Sequence, residues 1–447
     1  LQANFLNMRK YFTVMPLFLA FGLSGRILAQ EMTHLKLQDA LGLAMNQNKQ
    51  VILASLEQES SVAKFHQTNA VFLPQVDLSY TAFTTNNPLN AFGFKLQQQS
   101  ITQTDFDPRL LNNPSATQNF MAKAEVNQPL INMDMIFARK AAHEQIDVYS
   151  YKTKRTKEYV TFEVQKAYEQ LQLAHDAVQV LTEALQTVNS IYTSTNQRFE
   201  KGFLQKSDVL QVQVQVNAME SKLAEAKSNV QNASDYLSLM MGAKTGKIYS
   251  VDSIRKNNTV EVIETQVPDD RADFKAMQSA LKAQDQMLNS GRMAYLPKLN
   301  AFGNFQINDK SAFGFNSQSY LLGAQFSWNM FAGTATRNKV SEYKVERTKI
   351  EEQLAYQKEQ SQLELNKTNR QLKDASFAIT QSETSVDHAE EALRILKNRF
   401  EQGLVTTNDL LQAQSILSQQ KLMKAQAIFQ YNTTVSYLQF LTSTSEK

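Results

Sequence analysis

Two stretches of this chain, 130–267 and 298–447, contain no proline, and they set the scale of anything it can fold into. A proline inside a helix costs about 3 kcal/mol. The same stretches are rich in Gln, Glu, Lys, Ala and Leu, all good helix formers. In the first, Val160, Val164, Ala167, Leu171, Ala174, Val178, Leu181, Leu185, Val188 and Tyr192 step by alternating fours and threes. A second run does the same through Val209, Val212, Val216, Met219, Leu223, Ala226, Val230, Ala233, Leu237 and Met240. These are coiled-coil seams. In the second stretch Leu365, Leu372, Ile379, Val386, Leu393 and Phe400 fall every seventh residue, interleaved with Thr368, Ala375, Ser382, Ala389 and Leu396. The return segment after 410 has a weaker seam, crossed by Gln420 and Lys424. Segments 131–199 and 332–400 each predict a helix of roughly 100 Å at 1.5 Å per residue. The mean globular helix has about 11–12 residues. Helices this long cannot wrap a compact core.

Each long helix ends in the same motif. "RFEKGFLQKSDVLQVQ" at 198–213 returns at 399–414 as "RFEQGLVTTNDLLQAQ". Gly202 and Gly403 stand where a helix end needs a residue in the left-handed conformation. Ser207 and Asn408 stand where the next helix needs a side-chain acceptor. Asp208 and Asp409 follow in the first turn, favoured there by the helix dipole. Each copy therefore predicts a helix–turn–helix tip, at 200–207 and 401–408. Capping alone suits any helical hairpin and assigns no function.

Between the helical stretches the apolar period drops to 2. Val76, Leu78, Tyr80 and Ala82 alternate with polar residues, as do Phe120, Ala122, Ala124 and Val126. The second half repeats this with Leu299, Ala301, Phe305 and Ile307, then Tyr320, Leu322, Ala324, Phe326 and Trp328. Four strands follow, near 74–84, 118–128, 297–307 and 319–329, each long enough to cross a bilayer when tilted. "FLPQV" at 72–76 and "YLPKL" at 295–299 begin the two strand pairs alike, with proline at the strand start where its missing donor is harmless. The repeated unit is thus helix, strand, loop, strand, long helix, tip, return helix. Expected boundaries are 30–243 and 269–447, joined by a polar segment at 244–268. Segment 85–117, rich in Asn, Gln and Pro, reads as a long extracellular loop between the first two strands. Four strands are too few to close a transmembrane barrel, whose minimum is about 8, and open edges are not tolerated in lipid. Either the strands form a soluble sheet on a periplasmic coiled-coil scaffold or tether, or several chains pool them.

The bulk numbers fit either. Of 447 residues 42% are hydrophobic, enough for one large core or two domains. The formal charge of +3 comes from 46 basic and 43 acidic residues without a long block of either sign, which argues against a nucleic-acid partner. Cysteine is absent, so there are no disulfides, thiolate metal sites or cysteine nucleophiles. Arg9 and Lys10, the apolar run from Tyr11 to Leu23, and Ala29 have the order of a secretory signal peptide over 1–29. Nothing later is a spanning apolar run, so insertion into a membrane must use strands.

With order, duplication and spacing in hand, the chain resembles the TolC-type outer-membrane efflux proteins over essentially its whole length. The similarity is carried by "LQDALGLAMNQNKQV" (37–51), "DDRADFKAMQSALKAQ" (269–284), "LPKLNAFGNF", "FSWNMFAG" and the two "RF-x-x-G" tips. It implies a mostly α fold with four transmembrane β-strands per chain. As a homotrimer these form a 12-stranded β-barrel continued by a periplasmic α-helical barrel, in the bacterial outer membrane. It further implies a passive exit duct of a tripartite efflux or type I secretion system, not an enzyme. The implied partners are a periplasmic adaptor protein, an inner-membrane RND- or ABC-type transporter and outer-membrane lipid, with no cofactor. By the resemblance Gly202, Phe203, Leu204, Gly403, Leu404 and Val405 match the adaptor-docking turns. Asp208, Asp409, Arg198, Arg399 and Phe400 fall in the gate region. The family's better-known gates tie the first aspartate to a tyrosine and an arginine on the second tip; here those positions are Phe400 and Val405. A second acidic ring one turn beyond Asp409 is replaced by Gln412. The expected gate is held more by tip packing than by polar links, with one ring of Asp409 carboxylates left to favour cations. Cargo is not written in these residues.

Other chemistry finds no support. His34, His66, His143, His175 and His388 lack metal-ligand spacing. Glu351-Glu352 and Glu390-Glu391 are adjacent and point to different sides of a helix. "KTKRTK" (152–157) reads as a solvated helix face. No phosphate loop or nucleophile motif occurs.

Overall fold

The computed structural model describes residues 33–257 and 265–444. The signal-peptide expectation over 1–29 therefore lies outside the described residues. The two proline-free stretches form α5 (Met133–Glu200) and α6 (Lys206–Met241), then α8 (Ala335–Glu401) and α9 (Thr407–Leu441). With 68 and 67 residues, α5 and α8 are each roughly 100 Å long. The seams are buried as their spacing demands: Val160, Val164, Leu171 and Val188 on α5, Val212, Val216 and Leu237 on α6, and Leu365, Leu372, Ile379 and Phe400 on α8. The helices lie side by side in the order α6, α5, α9, α8. At the strand end, α2 (Lys49–Gln67) and α7 (Ala272–Met293) pack on α5, and α7 also on α8.

Preceding α2, α1 (Leu37–Gln47) ends at a break that the sequence reading did not anticipate. Asn48 makes it: its Oδ1 accepts from the backbone N–H of Gln50 and Val51, and its Nδ2 donates to the Met240 carbonyl at 2.7 Å. The end of α6 lies directly against this break. Gly242 caps it at φ 73°, and a Cβ there would collide with the Gln47 carbonyl. Nearby, β1 (Thr33–His34) and β4 (Tyr249–Ser250) form a short parallel pair over a core of Leu35, Val164, Leu171, Leu237 and Tyr249.

Arg155, expected on a solvated face, is a tie instead. It lies 3.6 Å from the Phe440 ring centroid and donates to Glu158, to the Phe440 carbonyl and to Ser443. Arg271, buried and ion-paired with Asp273 at 2.7 Å, donates to the Leu441 carbonyl and to Ser361. Together they satisfy carbonyls left free at the end of α9.

Four strands, β2 (Gln75–Thr85), β3 (Thr117–Ile131), β5 (Lys298–Asp309) and β6 (Ser317–Ser327), form one antiparallel sheet in the order β2-β3-β5-β6. Register carries the alternation straight across it. One face holds rows such as Leu78, Ala124, Phe305, Tyr320; the other holds Ser79, Lys123, Gln306, Ser319. Among the described residues no helix covers the apolar face: Leu78 is 82% exposed and Leu322 73%. Both edges, β2 and β6, are likewise unpaired among the described residues. Segment 85–117 corrects the loop expectation. It holds two helices, α3 (Pro88–Gln97) and α4 (Pro108–Asn112), each with proline in its first turn and with Asn87 or Asp107 as the cap.

Candidate gate at the helical tips

Both tips are built by the same backbone device. Gly202 and Gly403 adopt φ 79° and 78°. The N–H of Phe203 then reaches the Arg198 carbonyl, and that of Leu404 the Arg399 carbonyl, both at 2.9 Å. This closes the end of each long helix with a hydrogen bond around a left-handed glycine. The next helix begins two residues earlier than the sequence reading placed it. The caps are Gln205 and Thr406, not Ser207 and Asn408, which lie inside the first turn. A reciprocal pair decides this: Asp208 accepts from the Gln205 N–H at 3.0 Å, and Asp409 from the Thr406 N–H at 2.9 Å. Thr406 Oγ1 accepts from the Asp409 N–H and donates to the Asp409 carboxylate. Thr-x-x-Asp is a capping box, a signal legible in the sequence. The Thr406 hydroxyl, then its N–H, hold the Asp409 carboxyl below the usual carboxylate range.

The two tips touch through Arg198. Its Nη2 donates to the carbonyls of Phe400 (2.8 Å) and Glu401 (3.1 Å), and its guanidinium lies 4.4 Å from the Phe400 ring centroid. Phe400 is buried beneath it, with Leu410 and Val212 in the same apolar cluster. Arg399, its counterpart on the second tip, is exposed and makes no side-chain hydrogen bond or ion pair among the described residues. Phe199, the counterpart of Phe400, is exposed at 36%. Asp208 and Asp409 make their caps within their own tips, not across them. Phe203 and Leu404 project at 77% and 64% exposure, while Leu204 and Val405 are half-buried. A cleft of about 840 Å³ lies between the tips, lined by Arg198, Phe203, Asp208, Phe400, Leu404 and Thr406 among others. Among the described residues no cluster of His, Asp or Glu could hold a metal, and no helix is long and apolar enough to cross a membrane.

The sequence pattern of the outer membrane efflux protein family matches residues 40–243 and 266–444, both repeats. The chain belongs to that family. Two curated relatives are similar to it. The outer membrane protein TolC of Vibrio cholerae is 21% identical over 413 residues, which is 90% of this chain and 88% of that protein. The probable outer membrane lipoprotein SilC of Salmonella typhimurium is 23% identical over 270 residues, 58% of this chain and about half (52%) of SilC. Among solved structures, CusC matches with a TM-score of 0.77 at 13% identity, covering 93% of each chain. The Vibrio cholerae outer membrane protein VceC matches at 0.74 and 15%, covering 92% of this chain and 97% of that one. The Campylobacter jejuni outer membrane channel CmeC matches at 0.72 and 15%, covering 91% and 85%.

In this efflux protein of the outer membrane the unusual parts of the tips now stand out. Phe400, flagged as a departure from a tyrosine, is the ring beneath Arg198. The polar link that remains runs from a side chain to main-chain carbonyls, so any residue at 400 or 401 would supply its acceptors.

Proposed function

We propose that three copies of this chain assemble into one passive exit duct, twelve strands in the outer membrane continued by twelve long helices in the periplasm. One observation carries it: a four-stranded sheet with a continuous bare apolar face and two unpaired edges. In lipid an unpaired strand edge costs several kcal/mol per group. Because β2 and β6 run in opposite directions, β6 of one copy meets β2 of the next as an antiparallel pair, and the ring closes. The exposed sides of α6 and α8 stand at the matching edges of the helical layer, with Val214, Leu239, Leu363 and Phe377 uncovered.

The duct is gated at its periplasmic tips and opened when an adaptor docks there. The adaptor in turn couples the duct to an RND- or ABC-type transporter of the inner membrane. Phe203, Leu204, Leu404 and Val405, held out by the Gly202 and Gly403 turns, offer the adaptor an apolar grip. In the gate, the α5–α9 contact within a chain corresponds to an α8–α6 contact between chains. Arg399 then does between chains what Arg198 does within one, donating to the Phe199 and Glu200 carbonyls of the next copy and covering its exposed Phe199. Asp208 and Asp409 stiffen the turns, and the Asp409 ring favours cations at the entrance.

Purification from outer membranes should yield a trimer that resists detergent at room temperature and conducts in planar bilayers. A soluble monomer or dimer without conductance would favour the scaffold reading. With trimers in hand, unchanged cation selectivity in Asp409→Asn would remove the entrance role of that carboxylate.

A further inference from the structure

The segment between β2 and β3 is folded, and its position is specific. Phe94 on α3 stacks on Phe83 of β2, centroids 5.5 Å apart. Gln98, just after α3, donates to the Gln118 carbonyl at 2.7 Å and to Asn119 Oδ1 of β3 at 3.0 Å. Asn119 in turn donates to Asn308 of β5 at 2.9 Å. The Gln97 carbonyl accepts from the Ser317 hydroxyl of β6. Phe83, Asn119, Asn308 and Ser317 alternate with the apolar rows, so all four lie on the polar face of the sheet. They also lie at the strand ends farthest from the long helices. Helix α3 and the residue after it thus touch β2, β3 and β6, and through Asn119 are linked to β5, on the polar side of the outer rim. It is held as a body: Lys95 pairs with Asp105 at 2.6 Å, Phe92 packs edge-on against Phe106, and Ala91 is buried. The second repeat has no such insert; there β5 and β6 are joined by residues 310–316, whose Phe313 stacks on Tyr80 of the apolar face.

We propose that α3 and its following turn form a lid inside the outer mouth of the duct, a constriction separate from the periplasmic tips. The proposal rests on the trimeric barrel reading, in which the polar face lines the lumen. Twelve strands spaced about 4.8 Å apart and tilted near 40° enclose a backbone diameter of roughly 24 Å. A helix with side chains is about 10–12 Å thick. Three such helices laid against the inner wall leave no passage for a folded protein or a polymer. The contacts on the wall are one aromatic stack and a few amide and hydroxyl hydrogen bonds, so the lid can lift when cargo arrives from below.

The test uses the full-length protein in whole cells, where the absence of native cysteine makes one engineered thiol unique. Ser79→Cys lies on the polar face six residues inside the rim, and Leu78→Cys beside it on the apolar face. A polymer-linked maleimide is added from outside. With the native insert Ser79→Cys should react slowly. Replacing residues 89–112 by a short Gly–Ser linker should speed labelling several-fold, and the milder Phe94→Ala/Gln98→Ala pair should do so in part. A small charged maleimide should be accelerated less. Equal polymer-labelling rates with and without the insert, in detergent-resistant trimers, would overturn the lid. If, once the insert is replaced, Leu78→Cys reacts with the polymer as fast as Ser79→Cys, the barrel reading itself fails, which is a distinguishable result.

Discussion

Among the described residues Arg198 is the one side chain that joins the two tips by hydrogen bonds, and removing it should loosen the proposed gate. Charge-assisted hydrogen bonds of this kind, partly exposed, contribute about 1–2 kcal/mol, or a factor of roughly 5–30 in a two-state ratio. Arg198→Ala trimers should therefore show a several-fold higher open fraction in single-channel recordings, while Arg198→Lys recovers part of the closure through its remaining charge. Glu169 behaves differently. It sits on α5 at 9% exposure with the Thr433 hydroxyl of α9 as donor at 3.2 Å, and burial pushes its carboxyl up to about 7. A carboxyl raised from 4.5 keeps its proton in the folded state while the unfolded chain loses it. Stability from this group is thus complete below pH 4.5, falls as pH rises toward 7, and stays low above, by up to about 3 kcal/mol. Glu169→Gln should raise the melting temperature at pH 8 and leave it nearly unchanged at pH 4. At this scale the turn glycines were legible, since two matching glycines after two matching helices have few other uses. The caps were misplaced by two residues because Ser207 and Asn408 look like better caps than Gln205. The aspartates at the third helical position decide otherwise by bonding back.

Element by element, legibility followed how apolar the packed positions are. α5, α6 and α8 show clear seams in the sequence. α9 does not, because Gln414, Ser418, Asn432, Thr434 and Ser436 are buried along it beside Leu410, Leu417, Ile428, Tyr431 and Val435. Polar residues in packed positions interrupt the apolar stripe. The break at Asn48 and the helix at 88–97 escaped the pattern for a different reason: each is set by a cap whose residues also suit a loop. The α6 terminus provides a graded test. Gly403→Ala places a Cβ in open space and costs only the left-handed conformation, about 1 kcal/mol. Gly242→Ala adds a collision with the Gln47 backbone, so it should cost at least about 2 kcal/mol and lower the melting temperature clearly more.

For the whole molecule, the sheet's two faces should differ in what they tolerate. Leu78→Arg puts a charge on the apolar face, where such a change costs about 2–4 kcal/mol at mid-membrane. It should cut the yield of assembled trimer in the outer-membrane fraction, while Ser79→Arg on the facing row should assemble normally. The amino-acid order by itself determined the duplicated unit, the long helices and the two-faced strands. Those are properties of period, and period survives in any tertiary setting. Only the tertiary structure decided which strands neighbour one another, that β3 of the first repeat pairs β5 of the second, and that two edges remain open. It alone placed Arg198 over the other tip and α3 across the polar face of the rim. Such contacts join residues some 200 positions apart in one case and one inserted segment to three separate strands in the other. No local pattern encodes them, because the free energy that selects them comes from surfaces that exist only once the chain has folded.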